Sequence, residues 1–537
     1  MEVKAKRAAV ASPHRLASAA GIKILKRGGN AVDAAVTAAF TLGVVAPGWS
    51  GIGGGGFLLA YLSNSQECVA IDYRETAPIH AKRYRVIAGG KVENDANSMG
   101  YKAVAVPGTL AGLSLALEEY GTISLKEALE PAIHYAERGF KVTPFWHNCI
   151  KMNLYGALNK ISRFPETART FTKNGRLYEP GEKMVYRHLS QTFKKIADKG
   201  KDIFYNGEIA DAIADHMVAN DGWITKEDLI EYEAKRRTPV VGTYRNYEII
   251  SMSSPASGAT LIQILNILEG FDLKKLGHNT PEMIHLMVEA MKLAFADREK
   301  YIADPDFVPT PTEKLTSKDY AEKLRLEINP KKASVGVFPY GLDEGQLGGT
   351  AHISVIDNGG NMASLTESLE CFLGSGVTIP ETGICMNDEM HDFELEIKSP
   401  NSIEPKKRPR SSMIPTIMLK DGYPFMALGS SGGSRIITST LQCIINVVEF
   451  NMELQSAINA TRFHYQNGTV FVESRIPKKV REELEKMGHK VIAWGKKLPS
   501  EDYDLFYGGV HAVLSDRCKG RVYGGADPRK DGCAMHY

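Results

Sequence analysis

No Cys-x-x-Cys pair occurs in the chain, and its seven cysteines (Cys68, Cys149, Cys371, Cys385, Cys443, Cys518 and Cys533) are an odd number. That count excludes a disulfide framework and a zinc finger, and it fits a reducing compartment. Long apolar runs are also lacking. The most apolar stretch, residues 31–46, is short for a membrane span and contains Asp33. The N-terminus, MEVKAKRAAVASPHRL, has no apolar signal core, so the expected location is the cytoplasm with no membrane partner. Charge of one sign is scarce: 65 Lys and Arg against 63 Asp and Glu leave a formal +2. KKRPR at 406–410 is the one dense basic run, and it reads as a solvated loop, so nucleic acid is not an expected partner. His391 and His464 lack metal-ligand spacing, and no metal is expected. No period of 20–50 residues recurs, which argues against a repeat array.

What remains is the composition of an ordinary globular protein, 43% hydrophobic and 24% charged over 537 residues. That is long enough for two or more domains, or one large one. Ser12-Pro13 reads as a helix start, cap then first-turn proline, with Gly28-Gly29 closing the helix. Asn30 caps the next, AVDAAVTAAFTLGVV, whose small apolar residues lie all round and predict a buried helix. GIGGGGF at 51–57 formally matches G-x-G-x-x-G. It follows a helix and precedes a strand, the reverse of a dinucleotide site, so it reads as a tightly packed turn. FLLAYL and CVAIDYRETAP are paired strands that leave Arg74 at a strand end. Residues 107–330 are mainly helical; the longest helix opens at Thr280-Pro281 and buries Met283, Met287 and Met291. IPTIML and PFMAL form a strand pair turned at Asp421-Gly422, followed by a helix over about 434–450. The pattern of strands, many helices, then strands predicts helices outside antiparallel sheets.

Residues 341–370, GLDEGQLGGTAHISVIDNGGNMASLTESLE, organise the rest. A polar, glycine-rich connector runs into a β-hairpin, AHISVID and NMASLTES turned at Asn358–Gly360. Thr350 stands at the junction, after Gly348 and Gly349. A chain that cuts itself before Thr350 would have its nucleophile and its base on one residue. The α-amine of such a threonine titrates at roughly 7.7–8.0. By themselves these residues fit an ordinary hairpin threonine better.

Other candidates stand beside it. Arg74 could fork onto a carboxylate, and Glu389 and Asp392 could hold an ammonium. GSSGG at 429–433 matches G-x-S-x-G, with Ser431 between a strand and a helix as a nucleophile elbow requires, and His464, His489, His511 and His536 lie downstream. Few strands follow it to complete a parallel sheet. Gly432 and Gly433 could instead offer backbone N–H groups as an oxyanion hole.

RGGNAVDAAV (28–37), GIGGGGF (51–57), DYRETAP (72–78), GGTAHISV (348–355), NDEMHDF (387–393), RPRSSMIPT (408–416) and GSSGGSRIIT (429–438) occur in that order. Together they resemble the γ-glutamyltranspeptidase family over nearly the whole chain. The resemblance implies an α+β fold, the four-layer αββα sandwich of N-terminal nucleophile hydrolases. It implies self-cleavage at Gly349–Thr350 into a large subunit, 1–349, and a small one, 350–537. These would form a heterodimer, with a dimer of heterodimers allowed. Thr350 becomes the nucleophile and its α-amine the base, Ser368 supports it, and Gly432 and Gly433 form the oxyanion hole. Arg74, Ser411 and Ser412 are implied to bind the substrate α-carboxylate, and Glu370, Glu389 and Asp392 its α-ammonium. The implied reaction cleaves γ-glutamyl amides such as glutathione, without cofactor, through an ester on Thr350 that water or an amino acid or peptide acceptor resolves. An acylase removing glutaryl groups is the alternative within the family, and a serine esterase built on Ser431 is the more distant one.

Four positions depart from the family pattern. Ala351 replaces a common second threonine, Ser368 replaces a threonine, and Glu370 stands where an asparagine is usual. The segment between Asp392 and Ser411 is short, which predicts an open site.

Overall fold

The computed structural model describes residues 3–5, 7–87, 90–336, 349–494 and 503–537. Two seven-stranded sheets, antiparallel throughout, face each other. One runs Val3–Ala5, Arg521–Ala526, Gly509–Asp516, Tyr423–Ser431, Thr416–Lys420, Tyr247–Ser251, Val240–Tyr244. The other runs Cys533–His536, Ala9–Ser12, Thr350–Ile356, Met362–Ser368, Gly55–Leu62, Glu67–Tyr73, Lys235–Arg237. Segments before and after Thr350 contribute to both sheets, so neither part holds a complete sheet alone.

The alternation of the central hairpin shows why the sheets stack. Ala351, Ile353, Val355, Ala363 and Leu365 pack on the helices of the N-terminal half, while Ile356 and Met362 join the core between the sheets. Ala31–Val45 lies against this hairpin, buried on all but one position, and its alanines let backbone approach on every side. The other outer layer comprises Gly258–Leu268, Pro281–Tyr301 and Arg435–Val448, packed with the second sheet in one core. This is the expected αββα sandwich. It is antiparallel, so Ser431 does not belong to the parallel α/β sheet that a nucleophile elbow needs.

Local signals set the helix boundaries. Asn30 and Asp33 form a reciprocal capping box, Ser124 and Glu127 another, and Thr280 caps the 21-residue helix that Pro281 opens. One start differs from expectation. Ser12 ends a strand, and the first helix, Arg15–Lys26, is capped by His14, whose ring accepts the Leu16 amide. Ser12 bonds to Ser18 Oγ and the His14 carbonyl instead, holding the chain as it leaves the sheet. The 51–57 glycines are a packing device. A Cβ on Gly54 would lie 2.0 Å from the Ser368 carbonyl oxygen, and one on Gly56 would lie 2.2 Å from that of Thr366.

Polar contacts lock the sheets together close to Thr350. Ser354 Oγ donates to the His511 carbonyl (3.1 Å), Ser364 Oγ donates to that of Leu428 (3.0 Å), and the Thr416 amide donates to Ser364 Oγ (3.0 Å). The His352 ring lies against Gly429, where a Cβ would come within 2.4 Å of it. Burial holds that imidazole well below its ordinary titration range, so it is neutral. These contacts fix the 350–368 hairpin relative to the strand leading to Gly432.

Candidate active site

Thr350 is the first residue of its strand and pairs with Ser368, which pairs in turn with Gly55. Thr350 Oγ lies 3.3 Å from Ser368 Oγ, and the Glu370 amide donates to that serine hydroxyl (2.8 Å). Gly349 is pinned from the other side. Its amide donates to the Glu370 carbonyl at 2.5 Å, and a Cβ there would meet Cys371 carbonyl carbon at 2.5 Å. Glu370 itself has φ +70°, in the left-handed region that non-glycine residues rarely adopt. The peptide before Thr350 is thus held by a strained turn at the far end of its own hairpin. The connector at 341–348, with Gly348, lies outside the described residues.

Arg74 follows the strand Glu67–Tyr73 and is completely buried, not a surface arginine. Its Nη1 ion-pairs with Glu389 and lies 3.6 Å from Glu75, and its Nη2 ion-pairs with Asp392. Nε donates to the Pro409 carbonyl (3.2 Å) and Nη2 to that of Arg410 (3.1 Å). One guanidinium therefore faces several carboxyls. Glu389 and Asp392 arrive on a single short turn, Glu389–Asp392. Burial raises the Glu389 and Glu370 carboxyls well above their ordinary range, Arg74 opposing the shift and neighbouring carboxylates adding to it. Glu75 is pushed up to about 7, again chiefly by burial.

A cleft of about 990 Å³ opens over these groups, lined by Thr350, Glu370, Asp392, Ser411, Ser412 and Gly433 among others. Arg74 and Glu389 sit one layer behind it, with Asp392, whose side chain is 26% exposed, between them and the cleft. Ser411 and Ser412 face the cleft from the segment before Thr416–Lys420; Ser412 Oγ accepts from Arg298 (3.0 Å), and Ser411 Oγ from the Met413 amide (3.2 Å). The short segment after Asp392 forms part of the cleft wall through residues such as Leu395 and Lys398.

Gly432 (φ +122°) and Gly433 (φ +59°) make the turn between the strand Tyr423–Ser431 and the helix Arg435–Val448. Their carbonyls accept from Arg435 and Ile436. Among the described residues neither glycine amide donates to a loop carbonyl. Ser431 is different. It is buried, its Oγ points to the Gly509 carbonyl at 3.5 Å, and it does not line the cleft. No histidine hydrogen-bonds to it among the described residues. His464 bonds to Thr438 and Ser434, and His511 lies in the neighbouring strand opposite Gly429. A serine triad is not assembled.

Of the eleven residues picked from the sequence, Thr350, Glu370, Asp392, Ser411, Ser412 and Gly433 line the cleft, Gly349 and Ser368 adjoin Thr350, Gly432 adjoins Gly433, and Arg74 and Glu389 lie behind Asp392. Sequence reading missed Glu75, although it adjoins Arg74 in DYRETAP. It also missed Asp388, whose carboxylate accepts the Cys371 amide (2.9 Å) and lies 3.9 Å from buried Lys160. Lys160 sits in a helix, Ala157–Arg163, that carries no signal of this partnership.

Sheets, layers and a strand-leading threonine in the lining of a cleft define the architecture of an N-terminal nucleophile hydrolase. The comparisons narrow this further. The gamma-glutamyltranspeptidase family model matches residues 17–537, and the chain belongs to that family. It is 38% identical to the glutathione hydrolase proenzyme of Escherichia coli K12 over 98% of this chain and 91% of that protein. It is 40% identical to the acylase ACY 1 proenzyme of Pseudomonas sp. SE83 over 90% and 87%. The crystal structure of cephalosporin acylase from Bacillus halodurans superimposes with a TM-score of 0.89 at 29% identity, covering 100% of this chain and 97% of that one. The protein is an enzyme of this hydrolase and transferase class.

Proposed function

We propose that the chain cleaves itself between Gly349 and Thr350 and then hydrolyses or transfers γ-glutamyl groups. The observation that carries this reading is the position of Thr350, buried in the cleft lining, paired with Ser368 and held by the Gly349–Glu370 contact. Thr350 Oγ attacks the Gly349 carbonyl, an N-to-O acyl shift gives an ester, and water releases residues 1–349 from 350–537. The two parts stay together as a heterodimer, because each supplies strands to both sheets. The freed α-amine then takes the proton from Thr350 Oγ as it attacks the γ-carbonyl of the donor. Ser368 orients the hydroxyl, and the Gly432 and Gly433 amides receive the oxyanion. The amine product leaves, and water or an acceptor amine resolves the γ-glutamyl ester.

Donor binding follows from the charges. Asp392 is ion-paired with Arg74. A γ-glutamyl donor brings both a carboxylate and an ammonium, so Asp392 shifts to the ammonium beside Glu370 and Glu389. The α-carboxylate then takes its place on Arg74, with Ser411 and Ser412. An ammonium also favours the ionised forms of carboxyls that burial keeps high.

The second reading is a glutaryl-type acylase, supported by the acylase relatives. A glutaryl donor has no ammonium to offset the carboxyls. Comparing kcat/KM for γ-glutamyl and glutaryl anilides decides between them. The γ-glutamyl anilide should be preferred by at least ~10-fold, and Glu370→Asn should shrink that preference and move the acid limb to lower pH. A wild-type preference for glutaryl would reverse the assignment.

A further inference from the structure

Outside the cleft, two histidines and a glutamate meet in the layer of Pro281–Tyr301. His285 and Glu289 are four residues apart and share one face of that helix. His489 comes from the turn between the helix Lys478–Lys486 and the strand Lys490–Ala493. All three are buried, and one donor atom from each lies within 4.8 Å of the other two. None lines the active-site cleft.

The hydrogen bonds set the protonation of the group. His285 Nε2 lies 2.8 Å from the Asn329 carbonyl, which can only accept, so that nitrogen carries the proton and Nδ1 is bare. The bare Nδ1 points at His489 Nε2, also at 2.8 Å. A carbonyl holding the remote N–H of an imidazole is the usual support for a metal-ligating histidine. Glu289 accepts from Lys292 Nζ at 2.7 Å and from the Ser334 amide at 3.0 Å, which hold its carboxyl beside the two rings. Two imidazoles and one carboxylate therefore converge on one point of the fold.

We propose that His285 Nδ1, His489 Nε2 and a Glu289 oxygen bind a divalent transition ion of the zinc type. Two nitrogens and one carboxylate oxygen suit zinc or cobalt, whereas calcium and magnesium prefer oxygen shells. On binding, the ion takes the place of the proton on His489 Nε2, and His489 takes up a proton at Nδ1, so none is released overall. Ligand bonds of roughly 2.0–2.1 Å require the three side chains to adjust from their present spacing, in which the donor atoms lie within 4.8 Å of one another. Lys292 opposes the ion electrostatically and sets a limit on its affinity. His285 and Glu289 precede the Gly349–Thr350 bond and His489 follows it. Asn329 and Ser334, which bond to the cluster, lie shortly before the cut. If the chain is cleaved as proposed, the ion would clip the two products together; the site itself does not depend on cleavage.

The test is a titration of chelator-treated, full-length protein with Co²⁺, followed by its visible absorption and by displacement with Zn²⁺. One equivalent should bind. Affinity should fall at least tenfold in His489→Gln, rise in Lys292→Met, and be unchanged in His391→Gln, which alters the separate Glu370, His391 and Asp392 group in the cleft. Wild type that takes up no cobalt overturns the site, whatever the variants do. So does binding that survives His489→Gln in protein with a native circular dichroism spectrum, or that His391→Gln abolishes. Masses of the same samples report cleavage separately.

Discussion

Thr350 and Ser431 are two buried hydroxyls, each at a strand end beside glycines, in facing sheets. Only one lines the cleft. Thr350 begins its strand, so its backbone nitrogen faces the proposed cut and its side chain reaches the cleft. Ser431 ends its strand, with its Oγ aimed at a carbonyl, and the cleft is lined by Gly433 just beyond it. The glycines beside Thr350 admit a close backbone turn. Those after Ser431 turn the chain into the helix Arg435–Val448, and Gly429 makes room for the His352 ring. A nucleophile motif is defined by what surrounds the hydroxyl, and G-x-S-x-G here marks the turn between the strand Tyr423–Ser431 and the helix Arg435–Val448.

The sharpest way to break this comparison is Thr350→Ala, which should abolish turnover of a γ-glutamyl anilide, while Thr350→Ser retains it in part. Next in size, Arg74→Lys should raise KM for γ-glutamyl donors by ~10-fold or more, because a point charge cannot replace the fork that now holds Glu389 and Asp392. An unchanged KM would remove Arg74 from donor binding.

The helix-facing side of the hairpin gives a stability test. Glu367 is fully buried, its oxygens lack a hydrogen-bond partner in normal geometry beside the Ser50 hydroxyl, and burial raises its carboxyl to about 8. The unfolded chain releases this proton near the ordinary 4.5, whereas the folded chain holds it. Its contribution is therefore complete below 4.5 and is lost as pH rises toward 8, by roughly 1.4 kcal/mol per pH unit. Glu367→Gln should flatten that fall, read from denaturation midpoints at several pH values; an unchanged slope would contradict it. The smallest effect should be Ser431→Ala, with kcat/KM within about twofold of wild type. A loss as large as that of Thr350→Ala would restore Ser431 as a nucleophile.

Much of the fold was legible where local signals and tertiary demands agree. The 350–368 hairpin, the Asn30 and Thr280 caps, and the 416–431 strand pair declare themselves by alternation and turn chemistry. Ala9–Ser12 did not, because AVAS followed by proline reads as a helix approach, and only pairing with Thr350–Ile356 and Cys533–His536 makes it a strand. Lys235–Arg237 is an all-basic edge strand without β-forming residues. In the site, residues inside continuous motifs were found. That Asp392 already occupies Arg74 was not legible, since it depends on burial and on one guanidinium shared among carboxyls from separate segments.

The central claim is that the chain is cut before Thr350 by its own hydroxyl. Intact-mass analysis with N-terminal sequencing of purified wild type and Thr350→Ala tests it directly. The account predicts two fragments for wild type, of 349 and 188 residues, the second beginning at Thr350, and a single 537-residue chain for the variant. Uncut wild type, a different new N-terminus, or full cleavage of Thr350→Ala would contradict it.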